Sequence, residues 1–498
     1  MAGQKVVKST NFSGVTRIFR LVLLAFFCAS LVHLVNHEFL VSEIPTSLRD
    51  RVSVITSDDA SYIRPALNFL DSGVWKGSNP GVGAYVLRSP GYGMIFGVFT
   101  YIFGETNGLI AMVLFQLILW SLAVGAIPFL SRSLGLKEKP SWWLAVFISL
   151  MPMFYGFLSY TLTEAITPSL VIFFYTFLFL GIEKSRKLLL ISALVLGFLI
   201  LVRPPLILLV LSYLPFFPVL RKRLVPVLFV ALAPIFLWQL RVHRFTGRFD
   251  LHPIYQSDAS DLYRPLHKAA WNFHKMTGQT GVEFHQSMNL LWQAAEGNFD
   301  NTDATNTAMS SLHSSVLTTF GEEDLAAVYS QYITILRQQV PYQLANVPIN
   351  SSLVGEGELI LRFESMQREY VSNNFAHACL AAPANVIKEL VLHSNLSLYM
   401  FQKPLRGNAL VETLRWFSLA LHLFIYLSAL AFLFRKKNQV SISIAMPAIL
   451  FFLYLIFIQR GIEERYMLPY LVPLLLLSIH NVTSFLPERI KEVFLQTD

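Results

Sequence analysis

The sequence predicts a polytopic α-helical membrane protein with about ten to eleven transmembrane helices, interfacial helices, and one mostly helical extra-cytoplasmic domain. Three observations lead there. Of 498 residues, 54% are hydrophobic and only 14% charged, where a soluble domain carries about 25% charged residues. Apolar runs of membrane-crossing length recur through the first 240 residues and again after 411. Lys and Arg gather in the short turns between those runs, as cytoplasmic loops require.

The order of elements starts with Lys5, Lys8, Arg17 and Arg20 ahead of an apolar run, which reads as an uncleaved first span over 18–40 with a cytoplasmic N-terminus. A polar loop, 41–90, follows and carries the adjacent pair Asp58-Asp59. Within it Ile63, Ala66, Leu67 and Leu70 fall at helical spacing, predicting a short interfacial helix over 60–72. The apolar segment 91–104 is too short for the roughly 20 residues a span needs and is expected to lie at the interface or re-enter.

Orientation supports that reading. With 91–104 not crossing, spans fall at 107–130, 141–160, 163–182, 188–203, 205–220, 224–240, 413–434, 440–458 and 466–485. Every basic turn (Arg132/Lys137/Lys139, Lys184/Arg186/Lys187, Arg221/Lys222/Arg223, Arg435/Lys436/Lys437, Arg489/Lys491) is then cytoplasmic. The same parity puts Asp58, Asp59, Arg88, Glu164, Arg203, Glu463, Glu464 and Arg465 outside. The runs flanking Arg203 are short and are expected to tilt or distort.

The chain divides into an N-terminal membrane module, 1–240 (with the external loop 41–106), an extra-cytoplasmic domain, 241–410, and C-terminal membrane helices, 411–498. At about 170 residues the middle part is able to bury its own core. It contains amphipathic patterns such as 325–336 and Gly/Asn-rich breaks at 278–281 and 298–306. The net charge of +8 points to anionic lipid headgroups and not to nucleic acid, because no basic face interleaved with aromatics lies outside the membrane segments. Two cysteines, Cys28 and Cys379, give no disulfide framework and no metal cluster. The scattered histidines show no ligand spacing and read as structural.

Several motifs are able to carry chemistry. Two adjacent carboxylates beside a membrane span are costly unless they face water or a polar cavity. Asp58 is placed to act as a general base on an acceptor, with Asp59 orienting it or binding a divalent cation; the plainer role is an N-cap for the helix after it. Arg88 precedes a Pro-Gly turn and Tyr92, an arrangement suited to gripping phosphate, or to interfacial anchoring. Glu164 opens an apolar helix, where capping alone would also suit it. Arg203, before Pro204-Pro205, needs an anion, a carbonyl or water, or else snorkels to the interface. The stretch from Arg460 to Tyr466, with Glu463, Glu464 and Arg465, is either a solvated turn or a contributor to the same cavity. No serine-nucleophile elbow, phosphate-cradling Gly loop or zinc motif is present.

Taken in order, the Asp pair, "RSPGYGMIFGVFTYIFG", "YTLTEAI" and "EERYMLPYLVPLL" resemble the C-type (GT-C) membrane glycosyltransferase superfamily, in particular the branch of the protein mannosyltransferases and lipid A aminoarabinose transferases. The resemblance covers residues 50–205 most clearly and recurs weakly at 460–480. It implies that Asp58 is the catalytic base or acceptor-positioning carboxylate and Asp59 its acidic neighbour. It also implies that Arg88 contacts the carrier phosphate, and that Glu164 and the Arg465-Tyr466 pair match family positions. Arg203, Tyr92 and Glu464 join this substrate-binding set from chemistry and topology.

The implied activity is transfer of a sugar, with inversion, from a polyprenyl-phosphate donor to a glycan, lipid or protein acceptor on the extra-cytoplasmic face. The expected location is a bacterial inner membrane with the site toward the periplasm. The need for a divalent cation is left open. The rivals are an oligosaccharide ligase or polymerase using a diphosphate carrier, and, from another class, a transporter. The latter would favour paired broken helices and internal symmetry, which the sequence lacks.

Overall fold

A computed structural model describes residues 12–40, 59–77, 88–246, 265–278, 281–344, 352–392, 407–430, 438–460 and 464–495. Among these residues the chain is helical, with two isolated β-bridges, Leu136 to Leu495 and Gly278 to Leu312. Among the described residues six helices are long and apolar enough to cross a bilayer: Gly14–Asn36, Glu105–Ser133, Leu224–Phe245, Ala409–Leu430, Gln439–Gln459 and Arg465–Thr483. They correspond to the expected spans starting at 18, 107, 224, 413, 440 and 466. The protein is an integral multi-pass membrane protein.

The first half runs α1 (Phe12–Leu40), α2 (Asp59–Ser72), α3 (Gly91–Phe103), α4 (Glu105–Ser133) and α5 (Glu138–Leu150). It continues with α6 (Thr167–Glu183), α7 (Arg186–Val202), a short α8 (Phe217–Leu220) and α9 (Leu224–Thr246). α2 is the short helix that the Ile63–Leu70 spacing predicts. α3 is 13 residues long, about 20 Å at 1.5 Å per residue, short of the ~30 Å hydrocarbon core. It folds back between α2 and α4.

The expected span over 141–160 takes a different form. α5 ends at Leu150, and the chain then makes 3₁₀ turns over Pro152–Phe154 and Gly156–Ser159. Pro152 and Gly156 interrupt the helix, and the freed polar groups find partners inside: Asn36 donates to Ser159 Oγ at 3.3 Å, and Gln116 Nε2 donates to the Leu158 carbonyl at 2.8 Å. The short run after Arg203 is distorted, as expected. Pro204–Phe216 is a 3₁₀ helix of 13 residues; at about 2.0 Å per residue it covers roughly 26 Å, more than an α-helix of that length would.

The middle of the chain is α10 (Pro265–Thr277), α11 (Gly281–Glu296), α12 (Asn301–Ser310), α13 (Ser314–Phe320), α14 (Glu322–Leu344), α15 (Glu356–Asn373) and α16 (Ala382–Leu392). α15 and the stretch His377–Leu392, which opens with a π-helical turn (His377–Ala381), are bent by 94° at the break between Asn373 and His377. This part has a core of its own, with Phe273, Leu291, Leu325, Tyr329, Tyr332 and Phe363 at its centre. The 325–336 pattern buries its apolar face there, on α14. The expected break at 298–306 is mostly helix instead: the Asp300 side chain accepts from the amides of Thr302 and Asp303 and starts α12 at Asn301.

The membrane core is separate and takes in Val386 and Leu390 of α16. The last elements are α17 (Ala409–Leu430), α18 (Gln439–Tyr454), α19 (Leu468–Thr483) and α20 (Glu488–Phe494). The Lys137 amide donates to the Phe494 carbonyl at 2.8 Å, tying the C-terminal helix to the basic turn after α4.

One histidine of the middle core gives it a pH signature. Tyr329 Oη lies 2.7 Å from His274 Nε2, and burial, then His267, push the His274 imidazole down to about 3 from its ordinary 6.5. The folded state thus resists a proton that the unfolded chain accepts near pH 6.5. Stability is full above that pH and is lost as pH falls toward about 3, by a few kcal/mol from this one group. Melting temperatures taken between pH 7 and 4.5, above most carboxylate titrations, should fall steadily. His274→Asn should flatten the slope; an unchanged slope would remove His274 as its source.

Candidate active site

Glu164 has come to rest between two arginines far away in sequence. It lies in a 3₁₀ turn, Thr163–Ala165, just before α6, and is 4% exposed. Arg203 Nη1 donates to Glu164 Oε1 at 2.9 Å. Arg465 Nε stands 3.5 Å from the same oxygen. Thr163 Oγ1 donates to Oε2 at 3.0 Å. The Arg203 guanidinium also lies 5.0 Å over the Tyr466 ring. Among the described residues, the other guanidinium N–H groups of Arg203 make no hydrogen bond within the chain, while its backbone amide donates to the Leu199 carbonyl at 2.7 Å.

Local sequence explains each placement. Pro204 and Pro205 cannot continue α7, so the chain turns at Arg203, which is extended (φ −146°, ψ 91°). Pro168 in the first turn of α6 sets that helix start just after Glu164. The 3₁₀ turn Glu464–Met467 ahead of α19 presents Arg465 and Tyr466.

A second group adjoins the first. Arg88 Nε donates to Ser61 Oγ at 2.9 Å, and its guanidinium stacks 4.7 Å from the Tyr62 ring. Arg88 is thereby held at the first turn of α2, the helix that Asp59 begins. The neighbouring Ser89 Oγ donates to the Val202 carbonyl at 3.4 Å, so Arg88 and Arg203 are each one residue from a shared contact.

Two glycines permit this approach. A Cβ on Gly91 would sit 2.6 Å from the Leu201 carbonyl carbon and the Val202 amide, and one on Gly93 2.6 Å from the Tyr62 carbonyl oxygen. Backbone atoms there cannot step aside as a flexible side chain would, so only glycine fits.

Tyr92 is in a supporting position. It is fully buried, donates to Gln116 Oε1 at 2.8 Å and packs edge-on against Tyr62 at 6.0 Å. It braces the ring under Arg88. Asp58 and Glu463 lie outside the described residues. Asp59 and Glu464 are described in backbone only, as the first residues of α2 and of the 3₁₀ turn before α19.

Three residues absent from the expected set matter to this geometry. Ser61 and Tyr62 hold Arg88. Gln116 is a single buried amide on the apolar α4 that joins Tyr92 to the carbonyls of Leu158 and Tyr160. Gln116 is detectable in the sequence, as an amide in the middle of a membrane run. No group of three or more His, Cys, Asp or Glu suited to a metal occurs among the described residues.

Basic residues mark the far end of the same helices. Lys184, Arg186 and Lys187 lie at the turn between α6 and α7, one 17-residue helix away from Glu164 and Arg203, about 25 Å.

No family model and no curated protein matches the chain. Among solved structures it is similar to an Archaeoglobus fulgidus oligosaccharyltransferase tethered with an acceptor peptide containing the NVT sequon, at 13% identity and a TM-score of 0.45, over 95% of this chain and 50% of that one. The chain thus spans half the length of the archaeal protein. It is also similar to ArnT from Cupriavidus metallidurans in the apo state, at 13% identity and a TM-score of 0.34 over 95% of this chain and 78% of that one. For the same protein bound to undecaprenyl phosphate the values are 12%, 0.33, 94% and 77%. At such scores the likeness carries no residue roles, which have to come from the chain's own chemistry.

Proposed function

We propose that the protein is a GT-C-type membrane glycosyltransferase that moves a sugar from a polyprenyl-phosphate carrier to an acceptor on the extra-cytoplasmic face. The observation that carries this reading is Arg203: a nearly buried guanidinium oriented by Glu164 at one N–H, with its remaining donors uncommitted. A guanidinium presents a planar fork that matches phosphate oxygens in pairs. Its position at the end of membrane helices suits a ligand whose tail lies in lipid and whose phosphate reaches the surface. The basic turn Lys184–Lys187 at the opposite end fits a cytoplasmic side there.

In this mechanism Arg203 and Arg465 bind the carrier phosphate and stabilise the charge that develops as the sugar leaves. Glu164 holds both arginines in place without binding the phosphate. Arg88, pinned to Ser61 and Tyr62, supplies a further positive charge beside the start of α2. Asp58 deprotonates or orients the attacking group, Asp59 supports it, and displacement at the anomeric carbon inverts its configuration. Tyr466 supports the Arg203 plane, and Glu464 is assigned to the same substrate-binding set. On this reading the chain is a membrane module 1–240, an extra-cytoplasmic domain 241–410 and closing helices 411–498, and acceptor recognition falls to the middle part. The host membrane on this reading is a bacterial inner membrane with the site toward the periplasm.

The test is binding of undecaprenyl phosphate to the purified protein in nanodiscs. Arg203→Ala should weaken it about 10- to 100-fold, the equivalent of a charged hydrogen bond of about 1.5–3 kcal/mol. Arg203→Lys should fall between, keeping the charge and losing the fork. Equal affinity in wild type and Arg203→Ala would refute the reading. Preference for undecaprenyl diphosphate would move it to the ligase class.

A further inference from the structure

Arg460 stands outside the ion cluster and combines a strained backbone with a buried guanidinium bonded through all three nitrogens. α18 ends in a π-helical turn, Leu455–Gln459, closed by the Arg460 amide donating to the Leu455 carbonyl at 2.9 Å. Arg460 itself is left-handed, with φ +48°, the single non-glycine residue with positive φ among the described residues. An L side chain adopts that conformation at a cost, and it persists where the surroundings over-determine it.

Those surroundings are three carbonyls from three parts of the chain. Arg460 Nη2 donates to Ala378 O at 2.6 Å. Its Nη1 donates to Lys275 O at 3.2 Å, and its Nε to Phe457 O at 3.3 Å. The side chain is 5% exposed, so these bonds replace nearly all of its hydration. Ala378 lies in the second π-helical turn, His377–Ala381, and Lys275 in the last turn of α10, where helix carbonyls lack intrahelical donors. One guanidinium therefore fastens the end of a membrane helix to two elements of the middle core. π turns inside helices are frequent at functional sites, and here two of them meet at one residue.

The same region touches the ion cluster. α16, which follows the second π turn, packs on the Leu455–Gln459 turn and on the Glu464–Met467 turn that presents Arg465 and Tyr466. It is seated from its other side by His422 of α17, whose Nδ1 lies 3.1 Å from the Val391 carbonyl. The turn that presents Arg465 thus rests on α16, and α16 is continuous with the carbonyl that Arg460 holds.

We propose that Arg460 is a positioning residue that couples ligand occupancy of the Glu164–Arg203–Arg465 cluster to the seating of the helical layer formed by α10, α15 and α16. In the proposed reaction, which this inference takes as its basis, the coupling registers the acceptor-binding part against a donor-loaded membrane module. Arg460 touches neither donor nor acceptor.

The experiment is hydrogen exchange by mass spectrometry on the full-length protein in nanodiscs, with and without saturating undecaprenyl phosphate. Peptides covering 265–277 and 375–392 are followed. In wild type the ligand should slow exchange in both peptides at least about threefold. In Arg460→Ala that response should vanish while undecaprenyl phosphate affinity stays within about threefold of wild type. Arg460→Lys keeps the charge and reaches fewer carbonyls, so it should restore part of the response; it also serves as the folded control if the alanine variant is unstable.

A ligand response that survives Arg460→Ala overturns the inference. So does a wild-type protein that binds without any response, or a loss of affinity in Arg460→Ala as large as in Arg203→Ala. If wild type does not bind undecaprenyl phosphate, or Arg203→Ala binds it equally well, it is the functional reading that fails, and the inference falls with it.

Discussion

Glu164→Gln is expected to destabilise the protein severely and to abolish transfer. Gln keeps the shape and one acceptor oxygen and removes the charge. Arg203, 2.9 Å from that oxygen, and Arg465, at 3.5 Å, would then face each other across a nearly buried position without the carboxylate between them. Removing one member of a buried ion pair costs about 3–5 kcal/mol, because the partner is left charged in a low-dielectric setting. Against a total stability of about 5–15 kcal/mol, that is a large fraction.

The measurement is the thermal unfolding of the solubilised protein beside undecaprenyl phosphate binding. A second variant separates charge from shape. Adding Arg203→Met to Glu164→Gln should recover part of the lost stability, since it removes the stranded charge, and none of the phosphate affinity. A positive coupling energy in that double-mutant cycle is the signature of direct interaction. A Glu164→Gln protein as stable as wild type would show that the carboxylate is not what holds the arginines.

Asp58→Asn is the other large effect, and it should fall on rate alone. If Asp58 takes the proton from the acceptor, its loss should lower turnover by about 10²- to 10⁴-fold, the usual contribution of a general base. Undecaprenyl phosphate affinity and melting temperature should stay near the wild-type values. Asp59→Asn should cost less if that residue only orients its neighbour. The assay is transfer of radiolabel from a polyprenyl-phosphate sugar to envelope acceptors. Full transfer by Asp58→Asn would take the residue out of the mechanism, whereas a loss of lipid binding in step with transfer would make it a binding group.

The two variants probe the two roles that the proposed mechanism gives to carboxylates. Glu164 acts through other protein groups, so its loss should appear first in stability and in binding. Asp58 is assigned to the reacting atoms, so its loss should appear in kcat. A result with the two patterns exchanged would reverse the roles of the carboxylates while leaving the site where it is.

Several features were legible in the residues themselves. The 54% hydrophobic content and long apolar runs dictate a membrane protein because burial of uncharged helices in lipid is the favourable outcome for such stretches. The spacing of Ile63, Ala66, Leu67 and Leu70 encodes α2, since a 3.6-residue period puts these side chains on one face. The polar motifs at 88, 164, 203 and 465 could be singled out one at a time, because an ionisable group at a membrane boundary is costly without a partner.

Tertiary structure alone decided the pairing and the exceptions. Glu164 and Arg203 are 39 residues apart, and Glu164 and Arg465 come from opposite ends of the chain; a local pattern holds no record of who neutralises whom. The 141–160 run has the composition of a span, yet Pro152, Gly156 and the polar partners Asn36 and Gln116 favour buried 3₁₀ turns there. Asp300 turned an Asn-rich stretch into a helix by satisfying amides that composition cannot count. Arg460 read as one more charge in a polar turn, and only the fold supplied the carbonyls of Lys275 and Ala378 that give it a place. Hydrophobicity and periodicity act within a segment and so are written along the chain. Ion pairing and carbonyl capping act between segments, and they exist only once packing has brought those segments together.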